Sequence, residues 1–362
     1  ALAISVAGPG SIFWMWVTAI IGIATKFFTC TLSVMYREKT KEGEIFGGPM
    51  YVIKNGLPKR MLPLAYFFAL AGMIGCLPAF QSNQLIQITG DLAFSEIENF
   101  NILGGLVLAG ITGFVVIGGL KRIAEVATFL VPLMGSIYFG AMIVALILNL
   151  NLVLPAFKLI LVDAFNGTAI AGGTFFGVLI YGVRRGAFSN EAGMGTESLV
   201  HGVAKVSNPV KQGLVAMTGP IFDTLIICTA TALMILVSGV WETSSSQGVT
   251  LTAEAFSILL GNFGGLILFI CVICFGLSTI FTYSYYGASC SRFLFGKFGM
   301  KFYIYLYILS IFIYSIVPID IAINIADGAF AMMAIPTLIS ALWLAPKVMK
   351  ASKNYFKLIN NN

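Results

Sequence analysis

From Gly264 to Ser291 the chain carries no charged residue. A helix needs about 20 apolar residues to cross a bilayer, and this stretch exceeds that. Similar runs recur along the 362 residues, of which 58% are apolar and 10% charged, with a mean hydropathy of +0.94. Soluble domains carry about 25% charged residues, so this chain has too few to cover a surface facing water. Away from water each backbone N–H and C=O must be paired within the protein, and runs this long do so as helices, not as a barrel. The chain therefore reads as an all-α integral membrane protein, one polytopic domain over 1–362 in a lipid bilayer, with a polar, frayed tail at 353–362.

Hydropathy predicts nine spans: Ser11–Tyr36, Leu62–Thr89, Ile102–Gly118, Ile123–Leu148, Ala169–Val183, Val210–Val237, Gly264–Leu294, Lys301–Val317 and Ile319–Leu344. The last is too short to cross twice, which takes roughly 40 apolar residues. If the nine alternate, nearly all Lys and Arg fall on one side: Arg37 to Arg60, Lys121 and Arg122, Arg184 to Lys211, Arg292 and Lys297, and the tail lysines. The opposite side holds Lys158 and seven acids, among them Asp91, Asp163 and Glu254. By the positive-inside rule the C-terminus is cytoplasmic and the membrane is the cell (inner) membrane. Ala1 then starts near the outer face, and without an initiator Met the chain reads as N-terminally truncated. The net charge of +6 is a topology signal; it does not form the single basic patch that nucleic acid needs.

Enzyme chemistry finds no footing. Six cysteines are scattered in apolar runs, and the Cys271–Cys274 pair sits mid-span without a second pair, so all six read as packing residues. One histidine, His201, cannot build a histidine metal site, and neither a phosphate loop nor a nucleophile elbow is present. No cofactor is expected.

The polar residues carry the functional signal, because polar groups inside lipid are costly and default to function. The longest polar island runs from Gly182 to Val206, with Arg184 and Arg185 at its start and Asn190 and Glu191 ahead of an Ala-Gly-Met-Gly turn. It reads either as a cytoplasmic loop anchored by arginines or as part of a gate on a transport path. The second span carries Gln81, Ser82, Asn83, Gln84 and Gln87 behind Pro78, for ligand contact or for bonding between helices. Gln81, the deepest, is the functional candidate. In the fifth span Gly172 and Gly173 precede Thr174, Phe175 and Phe176, a place where a helix could open beside an aromatic wall, or simply pack closely. Ser278 and Thr279 offer adjacent hydroxyls suited to a hard cation such as sodium, or to bonding the preceding turn. Asp223 and Asp327 are candidate proton carriers or interhelical partners.

At this point the chain resembles the alanine/glycine:cation symporters, also called sodium:alanine symporters. The matching motifs are Gly8-Pro-Gly-Ser-Ile-Phe-Trp-Met-Trp-Val17, Tyr36-Arg-Glu38, Gly47-Gly-Pro-Met-Tyr51, Phe188-Ser-Asn-Glu-Ala-Gly-Met-Gly195, Lys211-Gln-Gly-Leu-Val215, Phe222-Asp-Thr224, Ser278-Thr-Ile280, Ser284-Tyr-Tyr-Gly287 and Met333-Ala-Ile-Pro336. They occur in family order along almost the whole chain. The resemblance implies a leucine-transporter-type fold of ten core helices in two inverted halves, with core helices one and six broken at mid-membrane. The nine spans then correspond to core helices two to ten, core helix one being missing. The resemblance places Gln81, Thr174, Phe175, Phe176 and Tyr283 at the substrate, Ser278 and Thr279 at sodium, and Arg185, Asn190 and Glu191 in a gate motif. Tyr283 stands where many members carry Trp. The implied activity is symport of a small neutral amino acid, alanine or glycine, with sodium as the coupling ion. The alternatives are proton-coupled transport, through Asp327 or Asp223, and a channel or structural membrane protein.

Overall fold

The structure, a computed structural model, describes residues 1–41, 43–94, 96–166 and 175–360. It is almost entirely helical. After α1 (Leu2–Ala7) and a Gly-Pro-Gly turn comes α2 (Ser11–Met35), then a two-stranded hairpin of β1 (Glu38–Lys39) and β2 (Ile45–Phe46). Next come α3 (Pro49–Gly56), α4 (Leu62–Gly75), α5 (Ala79–Ala93), α6 (Phe100–Val116), α7 (Gly119–Leu148), α8 (Leu150–Asn166) and α9 (Phe175–Asn190). The chain continues through α10 (Thr196–His201), α11 (Pro209–Pro220), a π-helical segment Ile221–Cys228, α12 (Thr229–Val237), α13 (Val240–Thr243) and α14 (Val249–Leu260). It ends with α15 (Asn262–Ile316) and α16 (Ile319–Asn360).

Six helices among the described residues are long and apolar enough to cross a membrane: Ser11–Met35, Lys59–Asp91, Gly119–Leu148, Pro209–Val237, Phe263–Ile316 and Ile319–Asn360. Their outward faces are apolar, with Phe129, Phe298 and Leu342 all at least 70% exposed, as are Phe114 of α6 and Leu154 of α8. A surface of that kind is stable against lipid and not against water. The Phe263–Ile316 stretch is two helices joined at Gly296, whose φ of 68° and ψ of −157° are open essentially to glycine alone.

Four elements differ from the hydropathy reading. The second span is two helices, because Pro78 cannot continue the hydrogen-bond ladder of α4 and α5 starts anew behind it. The segment after the fourth span, left unassigned by hydropathy, forms α8, whose Asp163 accepts a 2.7 Å hydrogen bond from the Gly10 N–H at the foot of α2. The tail that looked frayed continues α16 to Asn360. Lys357 lies in its last turn, where a cation favours a helix C-terminus.

The fourth difference matters most. The polar island is not a loop at the end of the bundle. It runs alongside α2 in parallel, from one end to the other. A Cβ on Gly182 would meet Ser11 and Trp14, and one on Gly186 would meet Met15 and Thr18. Gly22 touches Ala192 and Asn190, Lys26 pairs with Glu197, and Gly202 touches Ser33. α9, the turn Glu191–Gly195 and α10 therefore form one interrupted helix tracking α2, and the interruption lies beside Gly22 and Thr25, at the middle of α2. Arg184 and Arg185 belong to its first half, on α9, and not to a loop; Arg185 is 7% exposed.

Candidate functional site

The interruption is built from residues that cannot continue a helix. Glu191 has φ of +54°, one of two non-glycine residues with positive φ among those described, and Gly193 and Gly195 have φ of +84° and +87°. A side chain at Gly195 would also strike Pro49 and Thr337. The freed backbone groups find partners inside the protein: Ala192 N–H donates to Asn190 Oδ1 (2.9 Å), Met194 N–H to the Glu191 carbonyl (3.2 Å), and the Thr337 hydroxyl faces the Met194 carbonyl (3.3 Å). Irregular backbone at such depth is tolerated only when it is buried in protein or lines a cavity, and here it does both. The Glu191 carboxylate accepts from Tyr283 Oη (2.7 Å) on α15 and from Thr196 Oγ1 (2.6 Å) at the start of α10.

Glu191 faces a cavity of about 480 Å³. Gln81 and Gln84 of α5 line it, as do Tyr283 and Thr279 of α15 and Asp223 of the π-helical segment. Arg185 and Ser189 complete its polar wall, with Phe80, Phe188 and Phe275 among the apolar ones. π-Helical turns inside α-helices occur often at functional sites, and this one turns Asp223 toward the cavity. Ser189 and Thr224 hydroxyls both donate to Asp223 Oδ2, and the carboxylate has no ion pair among the described residues.

Beside the cavity, Asp327 of α16 takes both arginines of α9. Arg184 Nη2 lies 2.6 Å from Asp327 Oδ2, and Arg185 Nη2 bonds the same oxygen. Arg185 is further held between the rings of Tyr181 and Phe188, 5.5 and 5.2 Å from its guanidinium carbon. Phe188 packs edge-on against Phe330, and Phe330 against Tyr283, so the ion cluster and the tyrosine bound to Glu191 share one aromatic wall. Asp327 thus sits as an interhelical ion-pair partner.

The expected site residues separate into groups. Gln81, Tyr283, Thr279, Glu191, Arg185 and Asp223 converge on the cavity. Asn190 is 2% exposed and serves the turn itself. Ser278 is not in the cavity wall; its hydroxyl bonds back to the Phe275 carbonyl (3.0 Å). Phe175 packs on Trp14, and Phe176 is 67% exposed, so neither faces Gln81. Thr174, like Gly172 and Gly173, lies outside the described residues. In the second span Asn83 donates to the Val317 carbonyl (2.6 Å), which is interhelical bonding, and Gln84 donates to Gln87 (2.9 Å). Sequence reasoning passed over Ser189 and the Lys26–Glu197 pair. A lysine in the middle of an apolar span was the available signal, since such a charge requires a partner.

A sequence model described as the sodium:alanine symporter family matches residues 1–362. The chain is 37% identical over its whole length to a sodium/alanine symporter, AgcS, of Methanococcus maripaludis, covering 80% of that protein. It is 37% identical to an uncharacterized transporter, YflA, of Bacillus subtilis, with 98% of this chain and 76% of that one aligned. It is also 35% identical to a probable sodium/glutamine symporter, GlnT, of the same organism, over 98% of this chain and 74% of the relative. What the broken helix and its cavity define is a polytopic membrane carrier. The chain belongs to the sodium:alanine symporter family: it is an amino-acid transporter and not an enzyme. Family membership also sets aside the channel or scaffold alternative.

Proposed function

We propose that the protein carries a small neutral amino acid, alanine or glycine, into the cell together with sodium, on a leucine-transporter-type scaffold with nine crossings in this chain and a cytoplasmic C-terminus. One observation carries the reading: an interrupted helix whose break, at the middle of its neighbour α2, faces a cavity with a convergent set of polar side chains. Breaks of this kind supply dipole ends and unpaired main-chain groups to substrates and coupling ions near the bilayer midplane. Gln81 is the candidate for substrate hydrogen bonding, Tyr283 for shaping the pocket, and Thr279 for a sodium-ligating hydroxyl. Arg185, Asn190 and Glu191 hold the break and its flanks in register. Sodium takes hard oxygen ligands, and the Thr279 hydroxyl fits that requirement. The names of two relatives, a sodium/alanine and a probable sodium/glutamine symporter, support an amino acid as cargo and sodium as driver.

Proton coupling is the second reading, favoured by one observation: Asp223 is a carboxylate at the cavity, held by hydroxyls and not by a cation. A relative named as a putative sodium/proton-dependent alanine carrier is in keeping with it. The test is uptake of labelled alanine, glycine and glutamine by the full-length protein in proteoliposomes. Saturable accumulation of alanine or glycine driven by an inward sodium gradient supports the first reading. Accumulation driven by a pH gradient without sodium replaces it with the second, and preference for glutamine overturns the small-substrate assignment.

A further inference from the structure

Three metal-ligating side chains meet where the second half of the broken helix packs on α2. Cys30 of α2 and Glu197 of α10 are buried, and His201, one turn further along α10, is half-buried. Their ligand atoms all lie within 4.8 Å of one another, the only such group of three among the described residues. Glu197 and His201 stand four residues apart, the spacing that puts two side chains on one helix face. Cys30 Sγ is 3.9 Å from Glu197 Oε1, whereas Lys26 takes the other carboxylate oxygen, Oε2. The carboxylate is thus divided, one oxygen matched by the lysine and one turned to the thiol. Gln212 of α11 lies 2.6 Å from His201 Nδ1 and fixes the plane of the ring. Metal-bound imidazoles keep an outer partner of this kind.

The spacing suits a small ion. In a tetrahedral zinc site, bonds of about 2.0–2.3 Å hold the ligand atoms about 3.4–3.6 Å apart. The sulfur–oxygen separation has to shrink by only about 0.3–0.5 Å to reach that, which side-chain rotation supplies. A thiolate, an imidazole and a carboxylate together suit zinc, whereas magnesium and calcium take oxygen ligands. A mixed set of this kind needs only one histidine, and it leaves a fourth position for water. As the sulfur–metal bond forms, Cys30 gives its proton to water. Its thiolate and the Glu197 carboxylate then balance the two charges of the ion, and Lys26 stays on Oε2. His201 is the least buried of the three, and the loop that carries Lys205 and Lys211 follows it, so the ion has a way in.

We propose that Cys30, Glu197 and His201 form a zinc site that ties α10, the second half of the broken helix, to α2. None of the three lines the transport cavity, and the site does not depend on which ion or amino acid is carried.

The experiment uses the full-length protein in detergent, free of any affinity tag and first stripped with a chelator. Cobalt(II) is the spectroscopic probe. It should bind with the near-ultraviolet thiolate-to-cobalt absorption and the strong visible bands of a tetrahedral site. Zinc should displace it and raise the thermal midpoint at micromolar concentration, whereas magnesium should do neither. Cys30→Ala should abolish the thiolate band. His201→Gln, at a less buried position, should raise the zinc needed for half the stabilisation by at least about tenfold, and Gln212→Leu by about 10–100-fold. Cys274→Ser, which removes a different thiol from apolar surroundings, should change neither band nor midpoint shift. The proposal is overturned if the folded wild-type protein shows no thiolate band, or if the band persists in Cys30→Ala. An unaltered zinc response in His201→Gln overturns it equally.

Discussion

Tyr283 donates a 2.7 Å hydrogen bond to Glu191, and that bond joins α15 to the break in the α9–α10 helix. Glu191 has a positive φ and sits between two half-helices, so it has little backbone support of its own. Its carboxylate, bonded to Tyr283 on one oxygen and Thr196 on the other, pins the turn to both a neighbouring helix and the next half-helix.

Removing that pin tests it. Tyr283→Phe keeps the ring and its packing on Phe330 but deletes the donor to a carboxylate. Hydrogen bonds to charged groups contribute about 1.5–3 kcal/mol. The variant should express, melt a few degrees lower, and transport at least several-fold more slowly at saturating substrate. Wild-type uptake per molecule from Tyr283→Phe would show that the bond is incidental.

Asp327 pairs with two arginines through one carboxylate oxygen, and the three positions should respond unequally. Arg184 is half-exposed, with 48% of its side chain accessible, so Arg184→Ala should cost about 0–1 kcal/mol. Asp327→Asn leaves the buried Arg185 without a counter-charge, and breaking a buried pair costs about 3–5 kcal/mol. Thermal unfolding of both variants in detergent gives the ranking; equal shifts would contradict the geometry.

Lys26 and Glu197 form an ion pair with side chains only 10% and 9% exposed, tying α2 to the second half of the broken helix. Lys26→Met alone should destabilise by about 3–5 kcal/mol, and adding Glu197→Leu should restore most of that, since buried pairs are often replaceable by apolar residues. Measuring stability and uptake of the double variant separates two roles. A stable double variant with normal uptake makes the pair a structural tie. A stable one without uptake makes the charge pair part of the transport cycle.

Ser278 and Thr279 are adjacent in sequence but divided in space. The Ser278 hydroxyl bonds the Phe275 carbonyl, whereas Thr279 faces the cavity. Thr279→Val should therefore raise the sodium concentration for half-maximal uptake several-fold, with little change in substrate requirement at saturating sodium. Ser278→Ala should change neither. The reverse pattern would move the ion to the other hydroxyl.

The proposed orientation rests on the Lys and Arg distribution, which remains one-sided when Arg184 and Arg185 are left out of the count. A cysteine at Ser246 should react with impermeant reagents added outside intact cells, and one at Lys353 should react only after permeabilisation. Labelling of position 353 from outside would invert the protein.

Much of this was legible in the chain itself, because apolar run length is a local property. The absence of charge from Gly264 to Ser291 is enough to specify a membrane helix, as lipid offers the backbone no other way to satisfy its polar groups. Gln81 and Asp223 could be picked out for a related reason, polar residues in an apolar context; Glu191 stood out in the polar island, and Tyr283 only through the family resemblance. What sequence could not decide was whether a polar segment faces outside water or an interior cavity, since both accept the same residues. The stretch after Gly182 read equally well as a loop. Only its residue-by-residue contact with α2, from Ser11 to Ser33, makes it a segment that runs the length of α2 with its break beside the middle of that helix. The same holds for Ser278 and Thr279, for the partner of Lys26, and for the sharing of Asp327 by two arginines. Each depends on the direction a side chain takes and on what lies opposite it, and those are settled by how the helices pack.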